Sequence, residues 1–226
     1  MSLGGALAIF VKTPELSPVK TRLAATIGGD KARQFYELSL LATQAMAKAL
    51  QVEVPNLQIY WAVAEPEGLP SRRWDAFPAL SQGAGGLGAR LNFVYQELLR
   101  KHHYVCFIGA DSPHLGVEDL KAGVLLTARN LREKFVLGET LDGGFYFFGG
   151  SIPVSSSSWL GVEYSTDQTA DQLITKLSAF GGIEHIRKDF DVDTASDLER
   201  YATMSVANSK FLPEQKNLIR WVAGLK

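Results

Sequence analysis

Ala6-Leu7-Ala8-Ile9-Phe10-Val11 is a continuous apolar run without polar alternation, followed at once by Lys12-Thr13-Pro14-Glu15-Leu16-Ser17-Pro18-Val19-Lys20-Thr21-Arg22-Leu23. A strand buried on both faces needs an apolar residue at every position, so the run predicts a central strand in a sheet covered by helices. Ligands of open α/β sheets sit beyond the carboxyl ends of the strands, which places the segment leaving this strand at a ligand rim. That segment carries Lys12, Lys20 and Arg22 against the single acid Glu15. Lysine as a compact charge and arginine as a bidentate fork suit a polyphosphate. A solvated basic loop restrained by Pro14 and Pro18 is the plainer reading of the same residues.

Outward from this strand, strand and helix patterns alternate. Asp30 is placed to cap a helix whose apolar positions Phe35, Leu38, Leu41, Ala42, Ala45 and Ala49 recur at spacings of three and four and which ends before Pro55. Strands are expected at 57–63, 104–108, 135–137, 145–148 and 183–186. Helices are expected around Leu91, Val94, Tyr95 and Leu98 (ending at Lys101 and His102), at 118–127 and 167–179, and near Ala195 and Pro213. The pattern predicts an α/β protein, a three-layer α/β/α sandwich on a mostly parallel mixed sheet, with antiparallel pairing around Asp142-Gly143. Ser155–Ser158 reads as a mobile loop, and residues 1–226 as one domain.

Composition narrows the function classes. The 23 basic and 24 acidic residues leave a net charge of −1, so no global field draws the chain to nucleic acid or an anionic membrane. With 46% hydrophobic and 21% charged residues the chain can bury a full core, which excludes disorder as its dominant state. The single cysteine, Cys106, allows no intrachain disulfide and no thiolate-cluster metal site. No apolar run approaches the roughly 18–20 residues of a membrane span. Met1-Ser2-Leu3-Gly4-Gly5 lacks the basic start of a secretory leader, so the chain reads as cytoplasmic.

Three further motifs fall on the same expected rim. Gly109-Ala110-Asp111-Ser112-Pro113-His114 follows the strand at 104–108, and Asp111 is placed to hold Mg2+, which takes few protein carboxylates and shares its other positions with phosphate and water. A turn closed by Pro113 is the structural alternative. In Phe190-Asp191-Val192-Asp193-Thr194-Ala195-Ser196-Asp197, Thr194 and Asp197 have capping-box spacing, which leaves Asp191 and Asp193 for the site. Asp111 and Asp193 would then share one metal ion. Gly138-Glu139-Thr140-Leu141-Asp142-Gly143-Gly144-Phe145-Tyr146 is first a hairpin signal, with substrate contacts from Asp142 or Tyr146 as the second reading. Gly83-Ala84-Gly85-Gly86-Leu87-Gly88 matches a dinucleotide fingerprint, but that fingerprint needs a strand directly before it, and Pro78 makes 74–82 a poor one. A glycine-rich helix start still suits a nucleotide. Cys106 and Met46 read as core, and no histidine pair has zinc spacing.

In order, Phe-Val-Lys-Thr-Pro (10–14), Val-Lys-Thr-Arg-Leu (19–23), Leu-Gly-Ala-Arg-Leu (87–91), Gly-Ala-Asp-Ser-Pro (109–113), Asp-Gly-Gly-Phe-Tyr (142–146) and Asp-Val-Asp-Thr (191–194) resemble the bacterial A-type glycosyltransferase-like family, formerly a domain of unknown function. That family is related to nucleotide-diphospho-sugar transferases and to small guanylyltransferases of cofactor biosynthesis. The resemblance, over residues 6–200, implies the A-type glycosyltransferase (nucleotide-diphospho-sugar transferase) fold, Rossmann-like in character, with the nucleotide in the N-terminal half. It implies that Phe10, Val11 and Lys12 line the nucleotide pocket, that Lys20 and Arg22 contact phosphates, and that Gly88 and Arg90 flank the nucleotide. Asp111 and Asp193 would hold Mg2+ or Mn2+, Lys20 and Asp111 would be catalytic, and Asp142, Gly143 and Gly144 would face the acceptor. Ser17 in place of the family's usual glycine and Glu139 in place of a proline are departures that bear on phosphate and acceptor binding.

The expected activity is that of a metal-dependent transferase, a glycosyltransferase using a nucleotide-diphospho-sugar donor. The alternatives are a nucleotidylyltransferase that moves a nucleoside monophosphate from a triphosphate to a phosphorylated acceptor, and a non-catalytic nucleotide-binding module. The expected partners are a nucleotide or nucleotide sugar and a small-molecule acceptor of unspecified identity, with no nucleic acid and no membrane span.

Overall fold

The computed structural model describes residues 4–225. Met1–Leu3, most of the stretch read against a secretory leader, lie outside the described residues. The elements in chain order are β1 (Gly5–Val11), α1 (Thr21–Ile27), α2 (Gly29–Glu53), β2 (Leu57–Val63), β3 (Ala79–Ser81), α3 (Leu87–Leu99), β4 (Tyr104–Gly109), α4 (Val117–Arg129), β5 (Lys134–Glu139), β6 (Phe145–Gly150), α5 (Ser156–Leu160), α6 (Thr169–Leu177), β7 (Gly182–His185), α7 (Ala195–Ala202) and α8 (Pro213–Ala223). The strands form one sheet in the order β3-β2-β1-β4-β6-β5-β7. Among the described residues only β6 runs against its neighbours, and the other strand pairings are parallel.

Side chains alternate between the faces of a strand, and here both faces are covered. Leu7, Ile9 and Val11 of β1 join a core with Met46 and Leu50 of α2 and Leu120 and Val124 of α4. Ala6 and Ala8 face a second core with Leu91, Val94 and Tyr95 of α3 and Leu173 of α6. This is the three-layer α/β/α sandwich with a mostly parallel mixed sheet. A third cluster joins Leu23 of α1 and Phe35 of α2 to Phe190, Val192, Leu198, Leu218 and Ile219. It anchors the segment before α7 against the first helices.

Four local expectations are corrected. Asp30 is not a cap: α2 starts from Gly28, and Asp30 sits in its first turn, where a negative charge suits the helix dipole. Ser155–Ser158 is no loop, since Ser156 opens the five-residue α5. Residues 21–23, read as part of the basic loop, form the start of α1. A strand does precede the glycine run: Pro78 lies just outside the edge strand β3 and serves it by accepting a hydrogen bond from the Trp61 N–H (3.0 Å), a position where its missing donor costs nothing. The capping box of Thr194 and Asp197 is present, and the hairpin at Asp142-Gly143 connects antiparallel β5 and β6.

The C-terminal helix also holds the site loop. Gln215 of α8 is 1% exposed, and its amide donates to the carbonyls of Pro113 (2.8 Å) and Leu115 (2.9 Å). Gln215→Leu strands both carbonyls and is expected to lower stability by about 2–3 kcal/mol, checked by urea denaturation at unchanged m.

Candidate functional site

Two cavities open along the carboxyl ends of β1 to β4. The first, of about 730 Å³, is bordered by Phe10, Val11 and Lys12 after β1, Ala64 and Glu65 after β2, Gln82 after β3, and Gly85, Gly86, Leu87 and Arg90 at the start of α3. The second, of about 710 Å³, is bordered by Leu91, Phe107, Asp142, Gly144, Phe145, Tyr164 and Asp167. Phe10, Arg22, Leu87, Asp111, Ser165 and Asp193 belong to both.

The centre of this cleft is built by two loops bonded in alternate register. The Val192 N–H donates to the Asp111 carbonyl (2.9 Å), the Ser112 hydroxyl donates to Asp191, and His114 Nε2 meets Asp189 Oδ1 at 2.9 Å. His114 is buried and stacked on Phe190 at 4.1 Å, which fixes the loop from the core side. These ties bring Asp111 and Asp193, 82 positions apart in sequence, to one point. The Lys20 ammonium lies at that point, 2.6 Å from Asp111 Oδ1 and 2.6 Å from Asp193 Oδ1. Its side chain is 3% exposed, whereas those of Asp111 and Asp193 are 46% and 41% exposed, so the carboxylates keep open oxygens toward the cleft.

Lys20 is aimed there by its backbone. It precedes α1 with φ 48° and ψ 44°, a left-handed conformation that costs a non-glycine residue about 1 kcal/mol. Burial opposes its charge, but the two carboxylates outweigh burial and hold its pKa above the usual lysine range. Lys20 therefore stays an ammonium. Asp191 has the opposite setting. Burial first and then the Asp111 charge push its carboxyl up to about 7, against the pull of the Ser112 hydrogen bond and Lys20.

The first cavity is polar and pre-ordered. Tyr36 Oη accepts from the Lys12 N–H (2.8 Å) and donates to the Lys12 carbonyl (3.2 Å). Burial and then the Asp111 charge raise the Tyr36 pKa, so it remains a phenol. Glu65 Oε2 accepts from the Thr13 N–H (2.7 Å). The buried Gln82 amide donates to the Val11 (3.1 Å) and Ala62 (2.8 Å) carbonyls, and its oxygen accepts from Arg90 (3.3 Å). Arg90 is thus held at the cavity beside Gly85, whose carbonyl accepts from its Nε at 2.9 Å.

Of the residues singled out in the sequence, Phe10, Val11, Lys12, Lys20, Arg22, Arg90, Asp111, Asp142, Gly144 and Asp193 border the cleft. Two do not. A Cβ at Gly88 would meet the Trp159 carbonyl at 2.5 Å and the Tyr164 ring at 2.7 Å, so its place is the close packing of α3 on that segment, and Gly85 and Gly86 border the cavity instead. Gly143 has φ 89°, and its backbone lies against that of Asp167, where any Cβ would collide. Gln82, Glu65, Tyr36, Tyr164 and Asp167 were not found from sequence. Glu65 carried a signal, as an acid two residues past the strand expected at 57–63.

The residues at the centre fit a hard divalent cation of limited protein ligation. Two carboxylate oxygens already converge on one cationic nitrogen. Mg2+–oxygen distances of about 2.0–2.1 Å require only a slight contraction from that spacing. Among the described residues no group of three or more His, Cys, Asp or Glu side chains is arranged to hold a metal by itself. Such a cation would therefore need further oxygen ligands from phosphate or water, the usual state of Mg2+.

A sheet with this strand order and single antiparallel member, covered on both faces and open at the carboxyl ends of its parallel strands, defines the chain as having a nucleotide-diphospho-sugar transferase-type fold. The family described as an uncharacterized protein conserved in bacteria (DUF2064) matches residues 44–166, more than half of the chain, and the chain belongs to that family. Among curated proteins none matches it. Among solved structures, a Desulfovibrio desulfuricans protein provisionally described as a nucleotide-diphospho-sugar transferase is 22% identical with a TM-score of 0.81, over 98% of this chain and 96% of that one. The 4-diphosphocytidyl-2C-methyl-D-erythritol synthase of Anaerococcus prevotii is 10% identical (TM-score 0.55; 87% of this chain, 93% of that one). A cytidylyltransferase from Leptospira borgpetersenii is 14% identical (TM-score 0.52; 99% and 94%). At these identities the shared property is the fold. No helix among the described residues is long and apolar enough to cross a membrane.

Proposed function

We propose that this protein is a transferase that binds a nucleotide-diphospho-sugar in the first cavity and passes the sugar to an acceptor hydroxyl in the second, with Mg2+ or Mn2+ on Asp111 and Asp193. The observation that supports this most directly is the convergence of Asp111 and Asp193, which border both cavities, on Lys20, which borders the first. Bond-making between two bound molecules needs such a shared boundary, and the charge that develops on a leaving diphosphate needs fixed cations there. Lys20 and Arg22 would hold the phosphates, with Lys12 and Arg90 toward the nucleoside end. Asp142 and the Gly144 backbone would face the acceptor. The cation, when bound, supplies further neutralisation of the diphosphate. Residues 1–226 would act as one domain.

Nucleotidyl transfer is the second reading, favoured by the four cations Lys12, Lys20, Arg22 and Arg90 around the first cavity, which suit a triphosphate. Thermal shift with Mg2+ separates the two. A ligand at a hundredfold excess over its Kd adds about 2.7 kcal/mol, or about 2–4 °C for each kcal/mol in a domain of this size. A largest shift with one nucleotide sugar supports glycosyl transfer, and a largest shift with a triphosphate supports nucleotidyl transfer. Asp111→Asn is expected to abolish the metal-dependent part of the shift, read against the variant's own unliganded Tm, which falls because the buried Lys20 ammonium loses one of its two counter-charges. A variant that keeps the full shift removes Asp111 from the metal site.

A further inference from the structure

We propose that the second cavity takes an acceptor that is uncharged or cationic, presents an apolar face, and carries no phosphate. The word acceptor rests on the transferase reading above; the ligand chemistry rests on the cavity alone.

The two cavities have opposite electrical character although they share a wall. Around the first, Lys12, Lys20, Arg22 and Arg90 outnumber Glu65, Asp111 and Asp193. Around the second, Arg22 is the sole cation among the described lining residues, and it belongs equally to the first cavity. The acids found only in the second are Asp142, Asp167 and Asp191. Asp142 is fixed within its hairpin, where Oδ1 accepts from the Thr140 hydroxyl (2.5 Å) and the Gly144 N–H (3.3 Å). Asp142 and Asp167 are both exposed at the cavity rim. A phosphoryl group placed here would meet five carboxylates, Asp111, Asp142, Asp167, Asp191 and Asp193, against the one cation Arg22, which the first cavity shares, and no lysine.

The remaining wall is apolar. Leu91 and Phe107 are 3% and 2% exposed, and Phe10 stands edge-on to Phe107 at 5.0 Å. Phe145 and Tyr164 are half-buried and complete an aromatic border. Aromatic surface opposite carboxylates is the chemistry that accommodates an ammonium or hydroxyl-bearing ligand with one greasy face: the face removes water from the rings while hydroxyl or N–H hydrogens go to the acids. Transfer onto a phosphorylated acceptor is thereby disfavoured. The reaction that uses both cavities joins a phosphate-rich donor to a phosphate-free hydroxyl or amine.

The test uses 1-naphthylmethylammonium and 1-naphthyl phosphate, which share a ring system and differ in charge, titrated into isotopically labelled full-length protein. Resonances of Phe145 and Tyr164 report the second cavity, and those of Lys12 and Gln82 the first. At Phe145 and Tyr164 the ammonium is expected to bind at least about tenfold more tightly than the phosphate at low ionic strength, because the carboxylates around the cavity attract the one and repel the other. The double variant Asp142→Asn/Asp167→Asn is expected to reduce that preference below about threefold while the naphthyl ring still binds. A phosphate that moves the Phe145 and Tyr164 signals at equal or lower concentration overturns the proposal, as does a cavity that responds to neither probe. A separate titration with Mg2+ and ATP, CTP, GTP and UTP in turn, read at Lys12 and Gln82, tests the nucleotide reading. Silence there with an intact ammonium preference sinks the transferase reading and leaves the cavity's ligand chemistry standing.

Discussion

Lys20→Met is expected to move two affinities in opposite directions. The ammonium lies between Asp111 and Asp193 at 2.6 Å from Oδ1 of each, so a divalent cation must displace a buried like charge to use the same oxygens. Methionine keeps most of the stem and removes the charge. The variant is therefore expected to bind Mn2+ alone at least about tenfold more tightly than wild type, since two carboxylates without a counter-ion attract a cation strongly at close range. The same change removes a charge-assisted contact to phosphate worth about 1.5–3 kcal/mol, so triphosphate or diphosphate affinity is expected to fall by about ten- to a hundredfold. The bare nucleoside is expected to lose little. Electron paramagnetic resonance of free Mn2+ measures the first affinity and calorimetry the second. Wild-type protein that takes up Mn2+ by itself as tightly as the variant would show that Lys20 does not guard the point. Under this arrangement, nucleotide phosphates draw Lys20 away and make room for the cation, so metal and nucleotide bind with positive coupling, which by linkage is reciprocal.

The second large effect is on stability. Asp191 has its pKa raised from 3.8 to about 7 in the folded protein. Between these values the folded state keeps a proton that the unfolded chain has lost, so stability falls as pH rises from about 4 to 7 and the loss is complete above the folded pKa. A shift of this size corresponds to about 4 kcal/mol at most. Asp191→Asn cannot ionise, and its amide oxygen still accepts from Ser112. In EDTA the variant is expected to match wild type near pH 4 and to exceed it near pH 8 by about 2–4 kcal/mol, read as urea midpoints across pH. Parallel pH profiles for the two proteins would place Asp191 in a more polar setting than the one described.

The parts of the fold that local pattern controls were legible. β1 reads from its apolar run because a strand between two helical layers has no polar face, and the hairpin reads from Asp142-Gly143 because few residues accept its backbone geometry. Where neighbours decide, the sequence misled. Pro78 argued against a strand that its own position beside the sheet edge permits. Asp30 has the chemistry of a cap but lies inside the helix, and four serines in a row looked like loop until Trp159, fully buried against the α3 side, gave α5 something to pack on. The candidate site divides in the same way. The residue types on the rim follow from strand ends and spacing, so Lys12, Lys20, Arg22, Asp111 and Asp193 were readable one by one.

Local sequence determined which segments would be central strands, which would be amphipathic helices, and that a basic loop and an acidic loop would leave the same edge of the sheet. Hydrophobic periodicity and turn chemistry act over a few residues and are written in adjacent letters. Only the tertiary structure decided that Lys20 enters between Asp111 and Asp193, that Gly88 and Gly143 serve packing, and that the second cavity is acidic where the first is basic. Those outcomes rest on contacts between residues tens to more than a hundred positions apart, such as the Val192 N–H on the Asp111 carbonyl and Gln215 on Pro113. Burial and charge at such points are set by what the fold brings alongside, which no local stretch of sequence encodes.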